Sequence, residues 1–458
     1  MRTLEDSALR RRAAASRGGL RGRLARVLFG ALISLGAMAG TTPLRAQYLD
    51  PPPTVGDDVF DARARKPRSP PDPYKKPGQD YRGILLGDVI FFPKVFIGAT
   101  YDDNLTWAAR NQTDGFGVKI NPGFVALRDA GIHKTLVYAD VDARLFPGLT
   151  KGNAVNLRAG LEQMWEVTRD FVIKAKLQYD HKESYADSSA LDPLTGAITS
   201  LTTPLKSNQF LAGLTAKYSF GNAFLGASLE TVKTTYQALH SASGRVSQSY
   251  RDSLVNTVTL RAGYWLTPAF YAFAETTGNI RDYSDDDYRS RGYRVTAGIG
   301  TDRIGLVRGE IYSGVQKQFY DQPAIKDTFS PVFGGRLFWY PTRDLTFRAS
   351  LDQSFTDSST PSRANPNGNP ARKTSAELNM RYQIDKSWAF SWRAGYDYHA
   401  FIGVPRRDHS WRTGVTLSYD IFRNAALTLD YDFSRTISNT TGIGNVRNAI
   451  MFGMNYRF

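Results

Sequence analysis

Charged residues of both signs recur at even spacings through most of the chain. Glu162 and Glu166 stand four apart in one stretch, and Lys174 and Lys176 stand two apart in the next. Residues at such spacings point to the same face of a β-strand. A face with both signs could pair charges between strands or line a water-filled passage. The residues that we expect on this face are Arg158, Glu162, Lys174, Lys176, Arg261, Arg308, Glu310, Arg348, Asp352, Glu377, Arg381, Arg393 and Arg412.

The mixture of signs on this face predicts weak ion selectivity at most. A strongly selective passage would carry mainly one sign, because like charges focus the field within a cleft. Charge pairing is the alternative role for each single residue. An example is Glu162 or Glu166 with Lys174 or Lys176, across a predicted tight turn at 168–170.

Residues that could bind a metal or perform catalysis are few and scattered. Asp102 and Asp103 could bind Ca²⁺, but aspartates at the end of a strand also begin loops, and we favour that interpretation. The histidines stand singly, without the spacing of metal ligands, and only His399 and His409 flank one predicted loop together with Asp408. The chain has no cysteine. We expect no enzyme activity, no catalytic residue, no cofactor and no metal site.

The elements that position the charged face are predicted from strict alternation of polar and apolar residues. In DLTFRASLDQSF (344–355) the polar positions alternate with apolar ones, and this period of two indicates a β-strand. Comparable stretches recur to the end of the chain and are longer than the typical sandwich strand of about 5 to 6 residues. The aromatic share of 12% is typical of strands with one face toward lipid. The apolar face of the quoted stretch holds Leu345, Phe347, Ala349, Leu351 and Phe355.

The connections between these stretches are alternately short and long, which predicts an up-and-down antiparallel β-barrel of about 18 strands. Outer-membrane barrels have this asymmetry, with short periplasmic turns and longer outer loops. Such a sheet must close on itself, because lipid cannot satisfy backbone N–H and C=O groups. We therefore expect the final stretch, 449–458, to pair with a first strand around 89–101. The loops at 181–206 and 356–372 are the longest that could fold inward.

The N-terminal part of the sequence has a different texture. Residues 1–46 consist of a basic stretch, an apolar stretch at 27–40 and a small residue, Ala46, and this order predicts a secretory signal peptide. Its apolar stretch is shorter than the roughly 20 residues of a spanning helix. Residues 47–85 are rich in proline and charge, and we expect a flexible periplasmic segment, with a plug inside the barrel as the alternative. The barrel is predicted over 86–458.

Nucleic acid is not an expected partner, although the formal net charge is +15. A large share of that charge comes from the arginines of residues 1–46. The other basic residues stand singly on alternating strand positions and form no recognition motif.

Two features of the sequence resemble known patterns. The end AIMFGMNYRF (449–458) has apolar or aromatic residues at alternate positions, and it resembles the C-terminal signal that outer-membrane barrels present to the β-barrel assembly machinery. The stretches FFPKVFIGATYDDN (91–104) and KINPGFVAL (119–127) resemble the putative β-barrel porin 2 family of Gram-negative bacteria. The residues of the signal are Phe458, Tyr456, Met454 and Phe452.

The resemblance implies a location in the outer membrane and a pore-like shape, but no particular solute. We expect contact with membrane lipid and lipopolysaccharide, and passage of a hydrophilic solute as in a porin. One alternative is a conduit or accessory protein for exopolysaccharide export, since the resemblance extends to relatives with that role. The other is a sealed barrel with a structural or adhesive role.

Overall fold

A computed structural model describes most of the chain after the N-terminal region. The described residues are 83–149, 152–184, 189–191, 198–200, 204–241, 244–284, 289–304, 306–323, 326–356, 370–440 and 444–457. The predicted signal peptide, most of the predicted 47–85 segment and Phe458 lie outside these ranges. No helix within these ranges is both long and apolar enough to cross a membrane.

Long β-strands make up nearly all of the described chain. In chain order they are β1 (Val89–Asp102), β2 (Gly115–Asp129), β3 (His133–Leu145), β4 (Ala154–Thr168), β5 (Phe171–Ser184), β6 (Leu205–Phe220), β7 (Ala223–Tyr236), β8 (Ser253–Trp265), β9 (Phe270–Tyr283), β10 (Ser290–Ile304), β11 (Val307–Tyr320), β12 (Thr328–Trp339), β13 (Leu345–Thr356), β14 (Ala371–Gln383), β15 (Trp388–Phe401), β16 (Arg407–Phe422), β17 (Ala425–Ser438) and β18 (Asn445–Arg457).

The strands form one closed sheet. Each strand pairs antiparallel with its neighbour in the chain, and β1 pairs with β18 from Lys94↔Arg457 to Asp102↔Ala449. This confirms the predicted all-β, 18-stranded, up-and-down antiparallel barrel and its closure by the last strand. A further short strand, Ile84–Leu86, pairs with the beginning of β1.

The two ends of the barrel differ in their connections, as the sequence predicts. At one end the turns are short, for example 169–170 between β4 and β5 and 423–424 between β16 and β17. At the other end the connections include 103–114 and 237–252, and the latter contains a 3₁₀ turn at Ser249–Arg251. We call these the tight-turn end and the long-loop end.

The outer face of the barrel is apolar. Large side chains such as Leu161, Leu225 and Leu260 are exposed on it. Aromatic pairs lie on the same face near the tight-turn end, including Trp388 with Tyr419, at 4.7 Å between ring centroids. Exposed leucines with a band of aromatics are typical of a wall that faces lipid.

The last strand carries part of the predicted assembly signal on this outer face. Phe452 and Met454 are exposed there, and Tyr456 accepts a hydrogen bond from Asn424 Nδ2 at 2.7 Å. The signal itself stays a prediction, because Phe458 falls outside the described residues.

The wall departs from regular pairing between β12 and β13. These strands pair only over five positions, from Gly335↔Leu351 to Trp339↔Phe347, whereas β1 and β18 pair over nine. Beyond Leu351 the two strands separate toward the long-loop end. The sequence predicts Phe355 on the lipid-facing side, and this is wrong: its side chain is only 7% exposed. The reason is that the end of β13 passes behind β12 on the inner side of the wall.

Candidate functional site in the barrel lumen

The inner face of the barrel is identified by side-chain hydrogen bonds that skip strands. Tyr138 on β3 donates to Gln178 on β5 at 2.8 Å, across the intervening β4. Arg393 on β15 lies 3.1 Å from Asp430 on β17, across β16. Such contacts require the concave side of a curved sheet. The polar residues predicted from their even spacing therefore lie on the wall of the lumen.

An ion cluster with a buried centre extends along the lumen wall from β8 to β12. Glu310 binds two arginines, Arg261 Nη2 at 2.6 Å and Arg336 Nη2 at 2.6 Å. Arg261 also contacts Glu275 at 3.2 Å and lies 3.8 Å above the Phe273 ring. The cluster satisfies a buried arginine with two carboxylates, which is the condition for keeping a charge inside a protein.

Aromatic side chains pack beneath this cluster, close to the tight-turn end. Phe224, Trp265, Tyr271 and Phe273 form a buried group on β7, β8 and β9. Glycine on the neighbouring wall makes room for them, since a Cβ on Gly263 would overlap the Phe224 ring. The alternation of glycine and large aromatics on inner positions thus lets rings lie flat against the wall.

An arc of four arginines occupies the inner wall at the tight-turn end of β11 to β14. Arg308 and Arg348 lie 6.0 and 5.3 Å from the ring of Phe338, which stands between them in the register. Arg336 precedes Phe338 by two positions on β12, and Arg381 on β14 pairs with Thr346 of β13. We call Arg308, Arg336, Arg348 and Arg381 the arginine arc. Arg336 is bonded to Glu310.

The remaining residues predicted for this face also lie on the lumen wall. Glu162 pairs with Lys176 at 3.3 Å, one of the combinations expected from the sequence. Lys174 of β5 stands opposite Met164 of β4 in the register. Glu377 of β14 stands opposite Ser350 of β13. Further ion pairs are Arg158 with Asp180 at 3.0 Å, Arg412 with Asp397 at 2.9 Å, and Arg294 with Asp352 at 2.8 Å.

The closing seam contains an ion pair that sequence reasoning missed. Asp102 at the end of β1 accepts from Arg447 Nε on β18 at 3.0 and 2.9 Å, and both side chains are buried. Asp103 accepts from the backbone N–H and the Nδ2 of Asn448. Arg447 also lies 4.8 Å from the Trp107 ring. These carboxylates thus connect the first strand to the last, and Asp102 is already satisfied by an arginine.

The loops at the long-loop end pack against the barrel wall and are hydrogen-bonded to it. Leu105 and Phe146 are buried, and Asn104 donates to the carbonyls of Ala108 and Val446, each at 2.9 Å. In the 237–252 connection, burial raises the pKa of Tyr250, so its phenol is neutral at physiological pH.

The histidines weighed for catalysis do not converge. His399 and Asp408 are register partners on β15 and β16, but Asp408 is bonded to Arg406 at 3.0 Å. His409 lies on the opposite face, where its Nδ1 is 2.8 Å from the Tyr396 hydroxyl. Within the described ranges, no group of three or more His, Asp or Glu side chains could hold a metal ion.

The fold and its two faces define a class of protein. A closed barrel with an apolar outer face and a polar inner face is a β-barrel of the outer-membrane type. The model of the family described as Putative beta-barrel porin 2 matches residues 76–458, and the chain belongs to this family.

Other comparisons give only remote similarity. No curated protein matches the chain. Among solved structures, the FrpB iron transporter from Neisseria meningitidis is similar with 9% identity, 80% of this chain and 82% of that chain covered, and a TM-score of 0.43. For the siderophore receptor PirA from Acinetobacter baumannii these values are 8%, 80%, 80% and 0.40. Similarity at this level does not define a ligand for this chain.

Proposed function

We propose that the protein is a porin-like channel that lets hydrophilic solutes cross the outer membrane. The observation that carries this proposal is the exposure of long cations on the inner wall. The side chain of Arg336 is 46% exposed and that of Lys176 is 38% exposed, although each binds a carboxylate. Side chains on the inside of a barrel are exposed only where they border an open space, and a polar wall fills that space with water.

The arginine arc gives the channel a weak preference for anions. Its four cations stand on four successive strands at the tight-turn end, and Glu310 is bonded to one of them. Four positive charges on one part of the wall raise the local concentration of anions, and acidic groups near them reduce this effect. The mixed ion pairs elsewhere on the wall, such as Arg158 with Asp180, offset each other and add little to selectivity.

We also propose how the protein reaches the outer membrane. The 1–46 segment is a signal peptide that is cleaved near Ala46, and the barrel is assembled in a Gram-negative outer membrane from its C-terminal signal. Membrane lipid and lipopolysaccharide then contact the apolar outer face. We propose no enzyme activity, because His399, Asp408 and His409 do not share a site.

Export of an exopolysaccharide has weaker support. A sugar polymer would need a track of exposed aromatic rings along the lumen. Four of the inner aromatics, Phe224, Trp265, Tyr271 and Phe273, instead pack against one another and are buried, and Phe338 is flanked by Arg308 and Arg348. Genes for polysaccharide synthesis beside this gene would favour export, and their absence would count against it.

Swelling of proteoliposomes in isotonic solutions of neutral sugars tests the channel directly. We expect vesicles with the protein to swell, and to swell faster with arabinose than with the larger sucrose. Protein-free vesicles are the control for leakage. If swelling equals that of protein-free vesicles, even after deletion of residues 185–204 between β5 and β6, the lumen is closed and the channel proposal is wrong.

A further inference from the structure

The separation of β12 from β13 leaves two unpaired strand edges in the barrel wall. The outer edge is Thr328–Gly334 of β12, and the inner edge is Asp352–Thr356 of β13. We call this region the β12–β13 seam. Both strands keep their other neighbour along these residues, since β12 pairs with β11 and β13 pairs with β14. The barrel is therefore closed here by overlap and not by ladder hydrogen bonds.

The outer edge is not suited to pairing with another strand. Pro331 lies in the middle of it and has no N–H to donate, and proline within sheets is confined to edges, strand starts and bulges. The carbonyl of Pro331 accepts a hydrogen bond from Ser330 Oγ at 3.0 Å. This stretch thus meets part of its backbone requirement without β13, and the gap agrees with its sequence.

Side chains, and not a strand, hold the inner edge in place. Arg281 on β9 donates to the carbonyl of Phe355 at 3.2 Å, and Arg294 on β10 donates to the carbonyl of Gln353 at 3.4 Å. Asp352 accepts from Arg294 at 2.8 Å and from the Tyr312 hydroxyl at 2.6 Å. A few side-chain bonds of this kind can break without disrupting either neighbouring ladder.

The two sides of the seam have different chemistry. On the outer face, Phe329 and Phe333 of β12 are exposed. On the inner side, two buried glutamines each have one side-chain atom without a hydrogen-bond partner among the described residues. In Gln316 this atom is the donor Nε2, and in Gln353 it is the acceptor Oε1. Buried polar groups without partners are costly and rare. A hydroxyl group, which both donates and accepts, would satisfy either of them.

We propose that the β12–β13 seam is a lateral portal between the lumen and the membrane. It admits an amphiphile with an apolar chain and an uncharged, hydroxyl-bearing head group. The chain passes Phe329 and Phe333, while the head group meets the amides of Gln316 and Gln353. Arg281 and Arg294 keep the portal closed when no amphiphile is bound. This function is separate from axial passage of hydrophilic solutes and does not depend on it.

The absence of cysteine makes single-cysteine labelling a clean test. In Gln353→Cys the new thiol is buried at the seam, and N-dodecylmaleimide, which partitions into the lipid of vesicles, probes access to it from the membrane. We expect Arg281→Ala to raise its labelling rate about tenfold, the factor expected from loss of one hydrogen bond with a charged donor. Mass spectrometry of the intact protein measures the modified fraction.

Two controls separate a portal from general loosening of the barrel. Ser434→Cys places a buried thiol on the inner wall of the fully paired β17, and its labelling should not respond to Arg281→Ala. Arg393→Ala removes an inner arginine that does not bind the inner edge, and labelling of the Gln353→Cys variant should not respond to it. Equal responses at both thiols, or to both arginine variants, would overturn the portal. So would faster labelling by a charged, water-soluble maleimide alone, because that opening would lead only to the lumen.

Competition identifies the head group. For this test the thiol is placed at Ser330, which is buried in the outer edge of the seam, so that Gln316 and Gln353 both stay in place. Dodecyl maltoside, below the concentration that dissolves the vesicles, should slow labelling of the Ser330→Cys variant by N-dodecylmaleimide. Dodecyltrimethylammonium has the same chain with a cationic head group and should not. Equal competition by both, or none by either, would overturn the proposed preference for hydroxyl groups.

Discussion

The buried pair of Asp102 and Arg447 should determine how firmly the barrel closes. In Arg447→Ala, Asp102 loses three hydrogen bonds, two from Nε at 3.0 and 2.9 Å and one from Nη2. It keeps the bond from the backbone N–H of Asn104 at 3.0 Å. The guanidinium also leaves the ring of Trp107. Removing one member of a buried pair typically costs about 3–5 kcal/mol. We expect the free energy of unfolding of Arg447→Ala to fall by that amount.

The measurement is urea unfolding of the barrel in lipid vesicles, followed by tryptophan fluorescence. A matched control is Lys134→Ala, which removes the exposed partner of Asp129 at the tight-turn end. Exposed pairs contribute about 0–1 kcal/mol, so this variant should change little. A double variant, Asp102→Leu with Arg447→Met, should regain much of the loss, because it leaves no buried charge. If Arg447→Ala and Lys134→Ala have equal effects on the free energy of unfolding, the pair of Asp102 and Arg447 does not stabilise the closure of β1 with β18.

Three other variants test the lumen and the C-terminus. Glu310→Gln removes the carboxylate between Arg261 and Arg336, and it should destabilise the barrel. It should also increase the preference for anions, measured as a larger reversal potential in a salt gradient, and an unchanged potential would refute this second effect. Gly263→Ala inserts a methyl group against a packed aromatic ring and should lower the free energy of unfolding by about 1–3 kcal/mol, measured by urea unfolding; no change would contradict that packing. Phe458→Asp should cause periplasmic accumulation and degradation, measured by cell fractionation, and a normal yield in the outer membrane would contradict the assembly signal.

The architecture could be read from the sequence because it depends on local periodicity. A period of two gives a strand two faces, and short and long connections in alternation give an up-and-down order. The pair of Glu162 with Lys176 was also predictable, since a tight turn fixes which residues of β4 and β5 stand opposite each other.

Contacts across the lumen could not be read in this way. Asp102 and Arg447 are 345 positions apart, and Arg393 reaches Asp430 by skipping a strand. Such contacts depend on the curvature of the wall and on the stagger between strands, and neither is encoded in a period of two. The buried position of Phe355 is the clearest example, because its spacing matches the lipid-facing residues before it. Pro331 was the signal in the sequence that could have indicated an unpaired edge nearby.

Single-channel recording of the purified protein in a planar bilayer, with a gradient of KCl, tests the central claim most directly. An open polar lumen with the arginine arc predicts discrete conductance steps and a reversal potential shifted toward the chloride equilibrium potential. Arg308→Ala with Arg348→Ala should reduce that shift. Arg158→Ala with Asp180→Asn, which removes both members of an ion pair outside the arc, should not. Absence of conductance steps would contradict the channel, and a shift toward the potassium equilibrium potential would contradict the role of the arc.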